Sequence, residues 1–310
     1  MSDPTPDIPS AEPPPVESFT PTFPFVNVPG HDTILRSSDG VDFHVHRIIL
    51  GLVSPVFETM FQLPQPESSP TIPVIDVEEK AAVLDRMLRL FYPATRPTFA
   101  TLDELRETIN VVVSKYDMQA VVPTIEQELQ KFVGTHPVSV YALAVTYQWK
   151  DVARAAAKES LRHAIRTPPA ETTPGLDDLS AAAYQRLLRY HYLCGLKGKS
   201  TVDGLWWVPT GLVWSTCTTC AGHELNWYLA DGQPYPVRKW FTDFLAQMGD
   251  ILLVTPAANI LESKSMYDAL KKASQCATCR TLVFEQLKDF VVNHWMPKLA
   301  TLIDAVELQF

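Results

Sequence analysis

The stretch Asp32-Thr33-Ile34-Leu35-Arg36-Ser37-Ser38-Asp39-Gly40-Val41-Asp42-Phe43-His44-Val45-His46-Arg47 decides the fold, together with its continuation through Ser54-Pro55-Val56-Phe57 to Phe61. Ile34 and Leu35 open an apolar strand, and Asp39-Gly40 is a strong hairpin-turn signal. Val41 and Phe43 then alternate with polar Asp42 and His44. A β-hairpin running into two small helices is expected. Three prolines and two serines between Leu63 and Pro70 read as a loop, and Ile72, Val74 and Ile75 as a short strand ending at Asp76. The period then turns helical, with Leu84, Met87, Leu88 and Phe91 on one face until Pro93 stops it. Thr101 and Glu104 have capping-box spacing ahead of Leu105, Ile109, Val112 and Tyr116. Pro123 suits the first position of a helix carrying Ile125, Leu129 and Phe132.

Asp32, Phe43, His46, Ser54 and Phe57 fall where a BTB/POZ domain places its opening strand, Phe-x-x-His and Ser-x-x-Phe. Residues 26–133, with this motif and element order, resemble that family. The resemblance implies an α+β fold with a small sheet and a helical layer, in a protein that is not an enzyme and acts by holding protein partners. Such domains form homo-oligomers, bind corepressors or dock a cullin for ubiquitin transfer. Cullin-docking members carry an apolar-x-Glu motif after the second helix. Here Glu67 is preceded by Pro66 and Gln65, and a polar Gln fills an apolar notch poorly. Many members also swap an N-terminal helix and strand between subunits, but nothing amphipathic precedes Asp32. Asp32 and His46 could form an acid–base pair, yet no nucleophile or oxyanion donor set accompanies them. The resemblance favours scaffold roles instead: His46 capping or bracing the first helix, Asp32 anchoring the strand, His44 an exposed strand residue.

Nine of the 26 prolines lie in the first 30 residues. Residues 1–25 therefore read as a disordered or polyproline-like tail, a solvated leader or an SH3/WW ligand. Residues 134–200 read as a helical extension resembling the BACK-like segment that follows many BTB cores. Val140, Leu143, Ala144 and Tyr147 share a face, Asp151 is placed to cap the next helix, and Thr167–Gly175 is a loop. Ser180 caps a helix bearing Tyr184, Leu187, Leu188 and Tyr192.

Residues 201–310 read as a mostly α C-terminal domain. Trp206, Trp207, Trp214, Trp227, Trp240 and Trp295 place six of seven tryptophans there, as a small core of large rings or an exposed interaction surface. Cys217-Thr218-Thr219-Cys220 and Cys276-Ala277-Thr278-Cys279 form two Cys-x-x-Cys pairs. Each tight turn aims two thiolates at one point, and two turns can complete a tetrahedral zinc site. The long spacing between the pairs exceeds that of an ordinary zinc ribbon. An inserted helix from Pro236 to Met248, with Trp240, Phe241 and Phe244 on one face, accommodates it. Structural zinc, unmetallated packed thiols and a redox dithiol all remain open. His223 and His294 are reserve ligands, and Cys194 reads as core. Phe284, Leu287, Val291 and Trp295 line a helix that Pro297 bends or restarts before Leu299, Leu302, Ile303 and Val306.

Composition limits the function classes. At 310 residues the chain has room for about two domains. Its 46% apolar content excludes global disorder. The net charge of −9, without a Lys/Arg block, argues against direct nucleic-acid binding. No apolar run approaches ~20 residues, so no membrane span is expected. The acidic start lacks a signal-peptide pattern, which places the protein in the cytoplasm or nucleus. The expectation is a non-enzymatic interaction adaptor, most concretely a substrate adaptor for a cullin ubiquitin ligase. The competing readings are a dimerising transcriptional or signalling scaffold and a dithiol oxidoreductase using Cys217 and Cys220. Leu187-Leu188-Arg189-Tyr190-His191 and the paired cysteines further resemble the BTB proteins of mushroom-forming fungi.

Overall fold

Gly40, at φ +82°, turns the chain between β1 (Thr33–Arg36) and β2 (Asp42–Val45). That left-handed backbone is open to glycine at little steric cost. The computed structural model describes residues 19–63, 72–166, 179–220 and 226–310. The strands pair antiparallel with Thr33 opposite Val45 and Leu35 opposite Phe43. This register puts Thr33, Leu35, Phe43 and Val45 on the buried face. Arg36 and Asp42, opposite each other outside it, form an ion pair at 2.6 Å. The chain continues through α1 (Arg47–Val53) and α2 (Pro55–Gln62) to β3 (Val74–Asp76), which joins β1 in parallel. The sheet order is β2-β1-β3. The proline-rich loop, including Gln65 and Glu67, lies outside the described residues except for Leu63.

α3 (Ala81–Arg89) buries Leu84, Met87 and Leu88 as expected. α4 (Leu102–Ile109) is capped by Thr101, whose hydroxyl accepts the Glu104 N–H at 3.2 Å. The return bond departs from the expected box, because Glu104 Oε2 accepts from Ala100 N–H rather than from Thr101. A π-helical turn, 110–115, continues α4. Leu105, Ile109, Val112 and Tyr116 are all buried. α5 (Val122–Gln130) takes Pro123 in its first turn, where a missing N–H leaves no helical bond unmade.

Two compact units divide the chain, residues 1–128 and 129–310. In the first, Phe25, Leu35, Phe43, Leu50, Phe57 and Leu84 belong to one core. The tail expected over residues 1–25 ends sooner than that. Phe25 is fully buried, 5.1 Å edge-on to Tyr92, and Phe19 stacks on Phe43. Burial of Phe25 and partial burial of Phe19 outweigh the proline bias that suggested a solvated leader. Residues 1–18 lie outside the described set.

The second unit begins with α6 (Pro137–Thr146), buried continuously from Ser139 to Ala144 rather than on one face, and α7 (Lys150–Ser160). Asp151 is in the first turn of α7, paired with Arg154, and does not cap it. The expected loop at Thr167–Gly175 lies outside the described residues. α8 (Ala181–Ser200) is capped by Ser180, which accepts from Ala183 N–H. Its buried stripe is Leu187, Tyr190, His191, Cys194, Gly195 and Gly198, whereas Tyr192 points outward under Arg166. Glycines set this stripe, because Gly195 and Gly198 lie against Leu253 and Leu252 of a later helix.

After α9 (Val213–Thr216) come the two-stranded ribbon β4 (Trp227–Tyr228) with β5 (Pro234–Tyr235), then α10 (Lys239–Val254) and α11 (Lys264–Ser274). α12 (Val283–Asp289), a π-helical segment at 290–295 and α13 (Met296–Asp304) end the unit. Pro297, which has no N–H, follows the widened turn. Phe284, placed on the buried stripe by its spacing, is instead 62% exposed, while Leu287, Val291 and Trp295 are buried. Trp214 lies flat on Phe241 at 4.3 Å, and Phe290 meets both. Trp214, Trp240 and Trp295 are thus core, Trp207 and Trp227 are half-buried, and Trp206 is exposed beside Lys298. Among the described residues no helix is long and apolar enough to cross a membrane.

Candidate metal centre and partner-binding face

The helix α1 carries the sequence Arg47-Ile48-Ile49-Leu50-Gly51-Leu52-Val53, apolar on every side after Arg47. A helix apolar all round belongs inside a core. Only Leu50 is buried, however, while Ile48 is 71% and Leu52 80% exposed. Val56 and Leu63, at the two ends of α2, are exposed too. Only a small helix was expected here, and an apolar pattern on every side gives no sign of which residues, Ile48 and Leu52 among them, face outward.

The start of α1 is held from the hairpin. Asp32 Oδ1 accepts the Arg47 N–H at 2.8 Å, and the His46 N–H donates to Tyr92 Oη at 2.7 Å. Asp32 therefore supplies the cap expected of His46, whose side chain caps nothing. The His46 ring packs 4.5 Å from His31. His44, expected to be exposed, is half-buried, and its Nδ1 and that of His31 have no hydrogen-bond partner among the described residues. Burial and then the neighbouring His46 lower the His31 pKa. Ser54 caps α2 through Phe57 N–H at 3.2 Å and donates to the Tyr116 carbonyl at 2.6 Å. Phe57 stacks on Tyr116 at 4.5 Å.

In the second unit the fold closes the long gap between the cysteine pairs. Cys217 leaves the end of α9, Cys276 follows α11, and Cys279 begins a single 3-10 turn. The Cys217 sulfur lies 3.6 Å from Cys220 and 3.7 Å from Cys276, and Cys220 lies 3.6 Å from Cys279. All four sulfurs fall within 4.8 Å of one another, close enough to hold a metal ion. None is in a disulfide, and three are buried, with Cys220 partly exposed.

Each turn aims amide hydrogens at its first sulfur. Burial opposes ionisation of Cys217, but the Cys220 and Thr219 N–H groups outweigh it and bring the thiol to about 6. The Cys279 N–H likewise lowers Cys276. Burial, followed by the adjacent Cys217 sulfur, raises Cys220 and Cys279. Thr219 Oγ1 meets Thr278 Oγ1 at 3.1 Å, tying the two turns together. Arg238, which sequence reading missed, donates from Nη1 to the Cys220 carbonyl at 2.7 Å. Its place ahead of α10 gives no sequence signal, because the contact spans eighteen residues. Of the reserve ligands, His223 lies outside the described residues and His294 is exposed against Phe290. Cys194 is buried on α8, apart from the cluster, and burial raises its pKa to about 11.

Comparison with known families matches a BTB/POZ domain to residues 29–132. That domain is a protein–protein interaction module and gives the chain a general adaptor function. No curated protein matches the sequence.

Proposed function

We propose that the chain is a non-enzymatic adaptor that self-associates through its BTB/POZ domain and presents a second, zinc-stabilised helical unit to another protein. The exposure of Ile48 and Leu52 carries this reading. Covering two such side chains is worth about 1.5–3 kcal/mol each, and a second copy offers the same face in return. Sedimentation of the full chain tests it. The native chain should run at twice the chain mass, and Ile48→Asp with Leu52→Asp should run as a monomer of unchanged helix content. A native chain that stays monomeric at all concentrations contradicts it.

Docking to a cullin is the second reading. Leu63, 58% exposed at the end of α2, leads into the loop where cullin-docking members place an apolar anchor. Binding of a cullin N-terminal fragment, lost in Leu63→Asp, tests that role.

Zinc is the ion we assign to the four cysteines, as a structural centre. Tetrahedral Zn–S bonds of ~2.3 Å put neighbouring sulfurs roughly 3.8 Å apart. The separations of 3.6 and 3.7 Å, with amides already directed at Cys217 and Cys276, support it. One zinc per chain, removed by a chelator with loss of helix, is the expected result.

A further inference from the structure

Arg238 breaks three local rules at once. Its side chain is charged yet the residue is only 6% exposed, and a buried cation is costly unless an anion or metal site answers it. Among the described residues no carboxylate lies within ion-pair distance of it, and its Nε has no partner. It also occupies the N-cap position of α10, a 16-residue helix with no acidic residue in its first turn. There a cation opposes the positive end of the helix dipole. Its bonds go instead to two carbonyls, those of Cys220 and Pro236.

We infer that Arg238 is the charge-compensating positioning residue of the metal centre, holding the Cys220 turn while its guanidinium faces a dianionic metal tetrathiolate. This rests on the zinc assignment above. Four thiolates around a divalent cation leave a net charge of −2, which the guanidinium beside the Cys220 turn stabilises. The backbone fixes the same geometry, since the Arg238 N–H donates to the Trp214 carbonyl at 2.8 Å, three residues before Cys217. The arginine is thus tied to both sides of the first cysteine pair. Its cost in the metal-free chain becomes a gain once the site is charged.

The test measures zinc affinity of the full reduced chain by competition with a chromophoric chelator, alongside thermal melts with and without zinc. Arg238→Gln should weaken zinc by about 10–100-fold, as loss of an outer-shell partner does. Its metal-free melting temperature should stay level or rise, because an unanswered buried charge has gone. A purely structural arginine would lower both melts alike. Arg238→Lys keeps the charge but cannot bridge two carbonyls, and it should retain most of the affinity. That variant decides the point even where Arg238→Gln fails to fold. Zinc binding by Arg238→Gln within about twofold of the native chain, or equal losses in Gln and Lys variants, overturns the inference. A native chain that takes up no zinc overturns the metal reading itself.

Discussion

Asp32 Oδ1 accepts the Arg47 backbone N–H at 2.8 Å, so the carboxylate that caps α1 comes from the start of β1. Asp39, in the hairpin turn, does the same for Ala81 at the start of α3, at 2.9 Å. One hairpin therefore sets the N-termini of two helices, and α1 is the helix that exposes Ile48 and Leu52. Asp32→Ala should cost about 1 kcal/mol, the usual worth of an N-cap side chain. Urea unfolding of the full chain, followed by a probe in the first unit, measures it. His46→Ala, which removes no cap bond, should not reproduce the loss of α1 protection in amide exchange.

Phe57 is fully buried and stacked on Tyr116, and Ser54 ties the two segments through the Tyr116 carbonyl. Phe57→Ala should destabilise the first unit by about 3–5 kcal/mol. Ser54→Ala should cost about 1–3 kcal/mol by stranding a buried carbonyl. Chemical denaturation separates the two magnitudes.

Acidification should weaken the first unit through His31. Burial, and then His46, hold its pKa below the ordinary 6.5. As pH falls below that value, the unfolded chain takes up a proton that the folded chain resists. The stabilisation is therefore complete above pH 6.5 and lost below it. His31→Gln should show a smaller fall in melting temperature between about pH 7.5 and pH 5.5 than the native chain. An equal fall in both would assign the acid sensitivity elsewhere.

Gly195 on α8 sits against the Leu253 carbonyl of α10, and an added Cβ would collide with backbone that cannot swing away. Gly195→Ala should cost roughly 1–3 kcal/mol by overpacking. The opposite result, the usual gain from Gly to Ala within a helix, would mean that the two helices separate freely.

Local patterns made much of this fold legible. Asp39-Gly40 announced a hairpin, and Thr101, Ser180 and Pro123 marked helix starts where they stand. Two Cys-x-x-Cys turns declared themselves by spacing, although only tertiary structure brings Cys217 within 3.7 Å of Cys276. Contacts between distant residues were not legible. That Asp32, rather than His46, caps α1 depends on pairing across the hairpin. Phe25 looked like leader because its neighbours are prolines, while its ring belongs to the core. Tyr192 and Phe284 fit an ideal helical stripe, but glycine-mediated packing of α8 and the π-helical turn after α12 rotate the buried faces away. Arg238 has no motif at all; its meaning comes from burial, from the lack of a carboxylate partner among the described residues and from the carbonyls it holds.

Replacing one of the four clustered cysteines should act on one unit. Cys217→Ser, or a chelator added to the native chain, should unfold helices of residues 129–310 and leave the BTB/POZ domain folded, since structural metal binding is coupled to folding. Limited proteolysis would then release a resistant fragment of the first unit, ending near residue 128. Unchanged helix content in Cys217→Ser would show that the four thiols are merely packed.

The most direct measurement is a native mass spectrum of the full reduced chain, alone and with a cullin N-terminal fragment. The account predicts a two-chain assembly, or a complex with the fragment, carrying one zinc per chain. A metal-free monomer that ignores both its own copy and the cullin would contradict it.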